Sequence, residues 1–470
     1  MKSRNKLILG ALAAGAIMLL AYGGYYFWHI AHVAAAYKAK ILCSSVFISK
    51  REPATVLRED LENFQQIGAE VVFEQQHVNA SALLGLVRQR AIFRDGLGCT
   101  LVIGVSEDQL RGQALSPPHA SQQVAEGLPW PRGDQEAEVE FPAGVDETKL
   151  TDTLDTAFSE PDPDRRRRTR AVVVVYDGRI IAERYAPGFS ANTPLLGWSM
   201  TKSVINALIG ILVRQGKLSI HEPAPVPEWS DPGDPRRAIT LDQMLRMSSG
   251  LEFGETYDDL FSDVAVMLFR SSGAGRFAAR KPHDTEPDQT WAYSSGTTNI
   301  IARIMRDAVG GNDADYLSFP RRALFDPIGI KSAVIEPDSS GHFVGSSFMY
   351  ATARDWARFG LLYLQDGVWE GERILPEGWV AYSTQPTPKA PQGMYGAHFW
   401  LNAGAPSDPE DRHWPKVPAD SFFAWGFEGQ WVVIVPSRKV VIVRLGQTEE
   451  LKAWDQETFL SGILQALPES

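Results

Sequence analysis

Three short stretches of this chain carry residue types and spacings that can do chemistry. The first, Ser199-Met200-Thr201-Lys202, opens an apolar run from Val204 to Val213, with Gly216 placed as a helix C-cap. Residues three apart share a helix face, so the spacing predicts that the Lys202 amine approaches the Ser199 hydroxyl. A serine hydroxyl is a weak nucleophile until a neighbouring base takes its proton. Burial and nearby positive charge, by lowering the lysine pKa, make Lys202 that base, and the start of a helix favours negative charge developing near Ser199. The same Ser-x-x-Lys pattern recurs at Ser3 and Lys6; Gly197-Trp198 ahead of Ser199 and the apolar helix behind it set Ser199 apart.

The second stretch, Trp291-Ala292-Tyr293-Ser294-Ser295-Gly296, precedes a helical run from Thr298 to Val309. A phenol beside a lysine ammonium can carry a proton to a leaving group, and Ser295 can donate a further hydrogen bond. Alone it reads equally as a turn with a helix cap, and Tyr316-Leu317-Ser318 has the same spacing. In the third, Trp425-Gly426-Phe427-Glu428-Gly429-Gln430, glycines let a substrate approach a sheet edge. The Gln430 backbone N–H, with that of Ser199, is then placed to form an oxyanion hole; the plain alternative is a β-bulge. Order and context together assign Ser199, Lys202 and Tyr293 to catalysis, and Ser295, Gly429 and Gln430 to substrate or oxyanion binding.

From about Asp146 to Leu467 the chain resembles the serine β-lactamase and penicillin-recognising superfamily, in its class C, esterase and 6-aminohexanoate-dimer hydrolase branch. Met244-Leu245-Arg246-Met247-Ser248-Ser249-Gly250-Leu251 and the stretch Ala351 to Gly360 are similar to that family's helical-domain turn and a later structural helix. The resemblance implies an α/β sandwich with a helical lobe, acyl transfer to serine and no cofactor. It makes Ser199 the nucleophile, Lys202 the base and Tyr293 the proton partner; at Ser295 the family often has Asn. The third stretch departs, with Phe427-Glu428-Gly429 where β-lactamases carry Lys-Thr-Gly or a His variant. The cation that would hold a β-lactam carboxylate is missing there. A small-molecule ester or short-oligomer amide is therefore the expected substrate ahead of a penicillin, and a tethered binding or sensing module without turnover is the alternative.

Other chemistries are excluded on residues. Gly197-Trp198-Ser199-Met200-Thr201 lacks the second glycine of a nucleophile elbow, and the nine histidines include no His-Glu-x-x-His or comparable metal set. A net charge of −11 argues against a nucleic-acid partner. The one basic cluster, Arg165 to Arg168 with Arg170, reads as a solvated face or linker.

These stretches need a frame. Ala171 to Tyr176 and Arg179 to Tyr185, joined by Asp177-Gly178, predict a hairpin, because the turn needs positive φ that this pair tolerates. Trp431 to Val435 and Val440 to Leu445 predict a second, and helices are expected over Asp146 to Phe158 and Phe459 to Leu467. Strands at both ends enclosing a helical middle predict an α+β fold, an antiparallel β-sheet flanked by helices with an inserted helical lobe. Pocket shape then falls to loops such as Glu255 to Phe277 and Thr387 to Asn402.

Ahead of this unit, Lys2, Arg4 and Lys6 precede an uncharged run from Leu7 to Trp28 that ends in Tyr25-Tyr26-Phe27-Trp28. About 20 apolar residues span a bilayer and aromatic residues favour its interface, so a single-pass transmembrane helix is expected, basic end in the cytoplasm and the body on the periplasmic side of the inner membrane. The competing reading is secretion after signal cleavage near Ala34-Ala35-Ala36; the apolar run exceeds the ~7–15 residues of a signal core, which favours retention. The division is thus tail and anchor over 1–30, an extension over 31–145 and a hydrolase domain over 146–468. In the extension, Val56 to Phe64 reads as helical, Leu101 to Val105 as a strand and Ser116 to Gly144 as an irregular connection. Cys43 and Cys99 can close a disulfide in an oxidising compartment or stand as two buried thiols.

Overall fold

A computed structural model describes residues 2–113, 128–135, 141–405, 407–448 and 450–469. The connection expected over 116–144 lies largely outside them. Its frame is a six-stranded antiparallel sheet in the order Trp400–Leu401, Phe422–Gly426, Gln430–Val435, Val440–Gly446, Thr169–Tyr176, Arg179–Tyr185. The two hairpins read from the sequence meet at its centre, where Val443 pairs with Val173. Asp177 and Gly178 take φ of 46° and 79°, the doubly positive turn their pairing requires.

Both faces of this sheet are apolar, which is why its central strands read as unbroken valine and isoleucine. Val172, Val174, Val433 and Ile442 face one layer, with Leu150 and Leu154 from helix Glu147–Phe158 and Leu460 and Ile463 from helix Gln456–Gln465. Val173, Val175, Val432 and Val443 face the other, against helix Ala353–Leu364 and the main core. Fully burying each such side chain is worth about 1.5–3 kcal/mol. The inserted lobe gathers helices Thr201–Arg214, Asp263–Arg270, Ala274–Ala279 and Ser295–Val309.

The extension folds as a second, four-stranded antiparallel sheet, Gly68–Val72, His77–Ala82, Val87–Arg94 and Gly98–Leu101, that the sequence pattern only hints at. The strand expected over Leu101 to Val105 ends at Leu101 instead; Gly104 breaks the extended path with φ 71°. The helix expected over Val56 to Phe64 runs from Pro53 to Glu59, with a separate 3-10 turn at Glu62–Phe64.

One helix, Lys2–Phe47, carries the N-terminus. From Leu12 it is long and apolar enough to cross a membrane, but 83% of the qualifying apolar stretch is buried inside the body. Its two halves differ sharply. Side chains from Leu12 to Trp28 are mostly exposed, and those from His29 to Ser49 are mostly buried. Cys43 is disulfide-bonded to Cys99, with Cα atoms 6.0 Å apart. Lys40 ion-pairs with Glu336 of the hydrolase unit, which also accepts from Ser44 Oγ at 2.7 Å and from the Cys99 N–H at 2.5 Å.

The basic cluster divides: Arg165 and Arg166 are exposed, as a solvated face requires, but Arg168 and Arg170 are not. Arg168 pairs with Glu62, and Arg170 with Asp60, which Arg51 also holds at 2.5 Å, so these arginines bolt the extension to the central sheet.

Glu336 is fully buried. Glu336→Ala should leave the buried Lys40 ammonium without its carboxylate, with Ser44 Oγ left to accept from it, and cost about 3–5 kcal/mol in denaturant unfolding. A Lys40→Met, Glu336→Leu double variant should recover most of that loss.

Candidate active site

Ser199 sits in a tight turn, Trp198–Met200, that feeds directly into helix Thr201–Arg214. The turn is strained: Trp198 is buried with φ 46°, in a region where side chains other than glycine are uncommon. A Cβ at Gly197 would lie 2.4 Å from the Trp356 ring, so only glycine fits there. Lys202 follows on the first helical turn, 1% exposed. Its Nζ lies 2.9 Å from Ser199 Oγ, 3.0 Å from Ser295 Oγ and 3.0 Å from the Ser346 carbonyl.

Burial lowers the Lys202 pKa to about 8, against the opposing pull of the nearby Glu255 carboxylate. Glu255 is itself shifted upward by burial, partly offset by Lys202. It accepts from the Ser295 backbone N–H at 2.7 Å and from Ser295 Oγ at 2.5 Å. Ser295 therefore joins amine and carboxylate in one chain of hydrogen bonds. Its neighbour Ser294 caps helix Ser295–Val309 by accepting from the Thr297 N–H at 3.1 Å, so one short stretch both starts the helix and supplies the site.

Two phenols face the nucleophile. The Tyr293 ring lies 4.8 Å from Lys202 Nζ. Burial, then Tyr395 and Glu255, push its pKa well up, and Ser199 pulls it partly back. Tyr257 is also raised, by burial and then Glu255, with Ser347, Ser295 and Ser199 opposing. Its hydroxyl is buried without a well-formed hydrogen bond, an orphan that a bound ligand can satisfy. Sequence reasoning assigned the Glu255 to Phe277 loop a shaping role only; it did not single out Glu255 or Tyr257, because a glutamate and a tyrosine in a loop carry no spacing signal.

The third stretch arrives through the hairpin Phe422–Gly426 and Gln430–Val435. A Cβ on Gly426 would lie 2.1 Å from the Gly197 carbonyl oxygen, so the strand backbone runs against the nucleophile turn. Phe427 stacks on Tyr257 at 4.8 Å and meets Trp198 edge-on at 5.6 Å, an aromatic wall beside Ser199. Gly429 and Gln430 lie on the far side of this turn. The Gly429 carbonyl accepts from Arg444 Nη1 at 2.8 Å, and the Gln430 amide donates to the Gly446 carbonyl at 2.7 Å. Gln430 and Glu428 line a buried cavity with Arg51, Asp60 and Arg170. Glu428 accepts from the Trp198 indole N–H at 3.2 Å.

The decoy spacing at Tyr316 to Ser318 is structural: Tyr316 is buried, donating to the Ala302 carbonyl at 3.2 Å and accepting from the Phe343 N–H at 3.0 Å. His398 contacts the nucleophile helix without being free to act as a base. Its Nδ1 lies 3.0 Å from the Lys202 carbonyl and its Nε2 3.1 Å from Thr298 Oγ1, and burial, with the Lys202 charge, lowers its pKa to about 3. Among the described residues no cluster of His, Cys, Asp and Glu could hold a metal ion.

The beta-lactamase family model matches residues 149–460. A 6-aminohexanoate-dimer hydrolase of Paenarthrobacter ureafaciens is 26% identical over 330 residues, 65% of this chain and 80% of that protein. A Bacillus anthracis structure assigned provisionally as a 6-aminohexanoate-dimer hydrolase superposes with TM-score 0.55 at 20% identity, covering 71% of this chain and 89% of the other. A family VIII carboxylesterase structure does so with TM-score 0.51 at 15% identity, covering 70% and 99%.

If the free Lys202 amine is the base, kcat/KM rises with pH through about 8, the folded amine pKa, and falls about tenfold per unit below it. The Glu255 carboxylate holds that pKa up, so Glu255→Gln should move the acid limb to lower pH. A limb that stays in place or moves upward would remove Glu255 from the electrostatics of the base.

Proposed function

The chain belongs to the beta-lactamase family, and we propose that within it this protein is a membrane-tethered serine hydrolase that cleaves an amide or ester bond through an acyl-enzyme on Ser199. The observation that carries this reading is the 2.9 Å contact between Ser199 Oγ and a fully buried lysine amine. In its neutral form Lys202 takes the Ser199 proton as Oγ attacks the substrate carbonyl. The scissile C–N or C–O bond breaks, and the proton passes to the departing nitrogen or oxygen through Lys202 and Tyr293. Water then attacks the acyl-serine with the same groups working in reverse, releasing the acid and restoring Ser199.

The oxyanion is held by the Ser199 backbone N–H and one from the turn after Gly426. Phe427 is favoured over Gln430 as that second donor: it directly follows Gly426, which makes the close approach to Gly197, whereas Gln430 lies on the next strand as the ladder partner of Gly426. Tyr257, with its unsatisfied buried hydroxyl, is placed to bind the scissile group.

The aromatic wall supports an ester or amide substrate over a penicillin. Phe427, 38% exposed, stands where a carboxylate-binding cation would be needed, and it stacks on Tyr257. The hydrolase named for the 6-aminohexanoate dimer and the carboxylesterase point the same way.

Retention of the N-terminal helix is favoured by burial. Cleavage near Ala36 would strip His29, Ala31, Val33, Ala35 and Ala36, all buried in the body, from the mature fold. The exposed half, Leu12 to Trp28, is then the segment that enters the bilayer, continued by the uncharged Leu7 to Ala11.

Turnover of p-nitrophenyl esters, short amide oligomers and a chromogenic cephalosporin by the full chain tests the reading, with Ser199→Ala as control. Esters or amides should be cleaved ahead of the cephalosporin, and a fluorophosphonate adduct should map to Ser199. Lys202→Ala and Tyr293→Phe should each lower kcat by about 10²–10⁴-fold with the fold intact. Wild-type turnover by Ser199→Ala would end the proposal.

A further inference from the structure

The turn between strands His77–Ala82 and Val87–Arg94 displays leucines that the fold does not use. It runs Leu83-Leu84-Gly85-Leu86, with Leu84 107% exposed, Leu86 75% and Leu83 43%. Leu83 and Leu84 both hold a left-handed backbone, φ 50° and 56°, which a bulky side chain resists. Two strained leucines, one of them fully exposed and the other nearly half exposed, point to a surface with a use outside the packed core.

Register fixes the level of this turn along the N-terminal helix. Lys38 Nζ donates to the Phe64 and Ile67 carbonyls at 2.9 and 2.6 Å, and Tyr37 stacks on Phe64 at 4.7 Å. The start of strand Gly68–Val72 is therefore level with Tyr37 and Lys38. At the other end Phe47 packs on Phe73 at 5.9 Å and on Phe93 at 5.5 Å, so sheet and helix run side by side. Gly68 pairs with Ser81, and Ser81 with Arg88, so both hairpin strands pass the Lys38 level there. The strand runs one residue further toward the bilayer end, to Ala82, about 3.3 Å at the strand rise, and the Leu83–Gly85 turn projects beyond it. At about 1.5 Å per helix residue, the strand end is level with Ala36, and the turn points on from there toward the exposed half of the helix.

A third element lies against the helix where its exposed half begins. The Leu260 carbonyl lies 2.9 Å from His29 Nε2, and the Phe261 ring stacks on His29 at 4.0 Å and on Tyr26 at 4.9 Å. These residues close the loop that carries Glu255 and Tyr257.

We propose that the Leu83-Leu84-Gly85-Leu86 turn is a second membrane contact, inserting its leucines into the bilayer face from which the helix emerges and setting the catalytic loop against the lipid surface. This rests on the reading of Leu7 to Trp28 as a bilayer-spanning segment. Continuity with the helix's aromatic end selects lipid as the occupant: Tyr25, Tyr26 and Trp28 are exposed at the depth where such rings prefer headgroups. Apolar tips of this kind settle about 5–10 Å into the boundary between headgroups and acyl chains. Arg88, exposed and donating to the Gly85 carbonyl at 3.1 Å, stands just behind the tip, where lipid phosphates lie.

The test uses single cysteines in the full chain with the Cys43–Cys99 bridge intact. Leu84→Cys, Glu74→Cys and Leu20→Cys are labelled with an environment-sensitive fluorophore and placed in phosphatidylcholine–phosphatidylglycerol nanodiscs, with and without a lipid carrying a nitroxide on its acyl chain. Leu20 and Leu84 probes should lose most of their emission, and the Glu74 probe, at the opposite end of the sheet, should keep it. Quenching at Leu20 with Leu84 no more quenched than Glu74 overturns the hairpin contact and leaves the anchor standing. Quenching at Leu84 without Leu20 keeps the hairpin contact and overturns the spanning helix. Absence of quenching at both overturns both.

Discussion

An ammonium ion sealed from water is costly to keep charged, and Lys202 is sealed by the nucleophile helix, the Ser346 carbonyl and Ser295. That cost brings the amine beside Ser199 down to a pKa of about 8, as the proposed role of base requires. Everything nearby manages it: Glu255 restores part of the charge preference, Ser295 spaces carboxylate from amine, and His398, its pKa lowered first by its own burial and then by the Lys202 charge, adds no second cation. The fully buried helix behind Ser199, from Thr201 through Leu212, is the structural counterpart of this chemistry. A looser helix would admit water, and the amine would return toward its ordinary pKa.

The strain at Trp198 follows from the same requirement. Bringing the Ser199 hydroxyl over the Lys202 amine while running the Gly426 strand against Gly197 leaves little room for a relaxed turn. Glycine at 426 lets two backbones meet, glycine at 197 makes room for the Trp356 ring, and the tryptophan between Gly197 and Ser199 absorbs the remaining distortion. In return its ring forms one side of the wall completed by Phe427 and Tyr257. Specificity and nucleophile geometry thus share a residue.

Both hairpins of the central sheet and the helices at Glu147 and Gln456 were legible because each rests on a local signal: alternating or continuous β-branched runs, an Asp-Gly turn, an Asp N-cap. The Ser199, Lys202 and Ser295 grouping was legible for the same reason, since two of the three sit one helical turn apart and the third starts a helix. Glu255 and Tyr257 were not, because their placement depends on a loop whose path is set by distant contacts at Phe261 and Asp263. The extension sheet was opaque for another reason. Its inward residues, Val78, Ala80 and Ala82, are small, so that it can lie close to the helix, and small residues leave a faint hydrophobic pattern. Arg168 and Arg170 read as solvated because their acidic partners lie more than a hundred positions away.

Those same long-range ion pairs bear on how the chain works as a unit. A tether joined to its enzyme by a flexible linker leaves the catalytic domain free to tumble. Here the helix that leaves the body at Trp28 is the one whose far half supplies core residues, a disulfide to the extension sheet and the buried Lys40–Glu336 pair. His29, the first buried side chain, touches both Phe261 and Arg270, flanking the helix that follows the catalytic loop. The N-terminal helix therefore packs directly on the end of the loop that carries Glu255 and Tyr257. For the tethered enzyme proposed above, a rigid connection of this kind sets which face meets the bilayer.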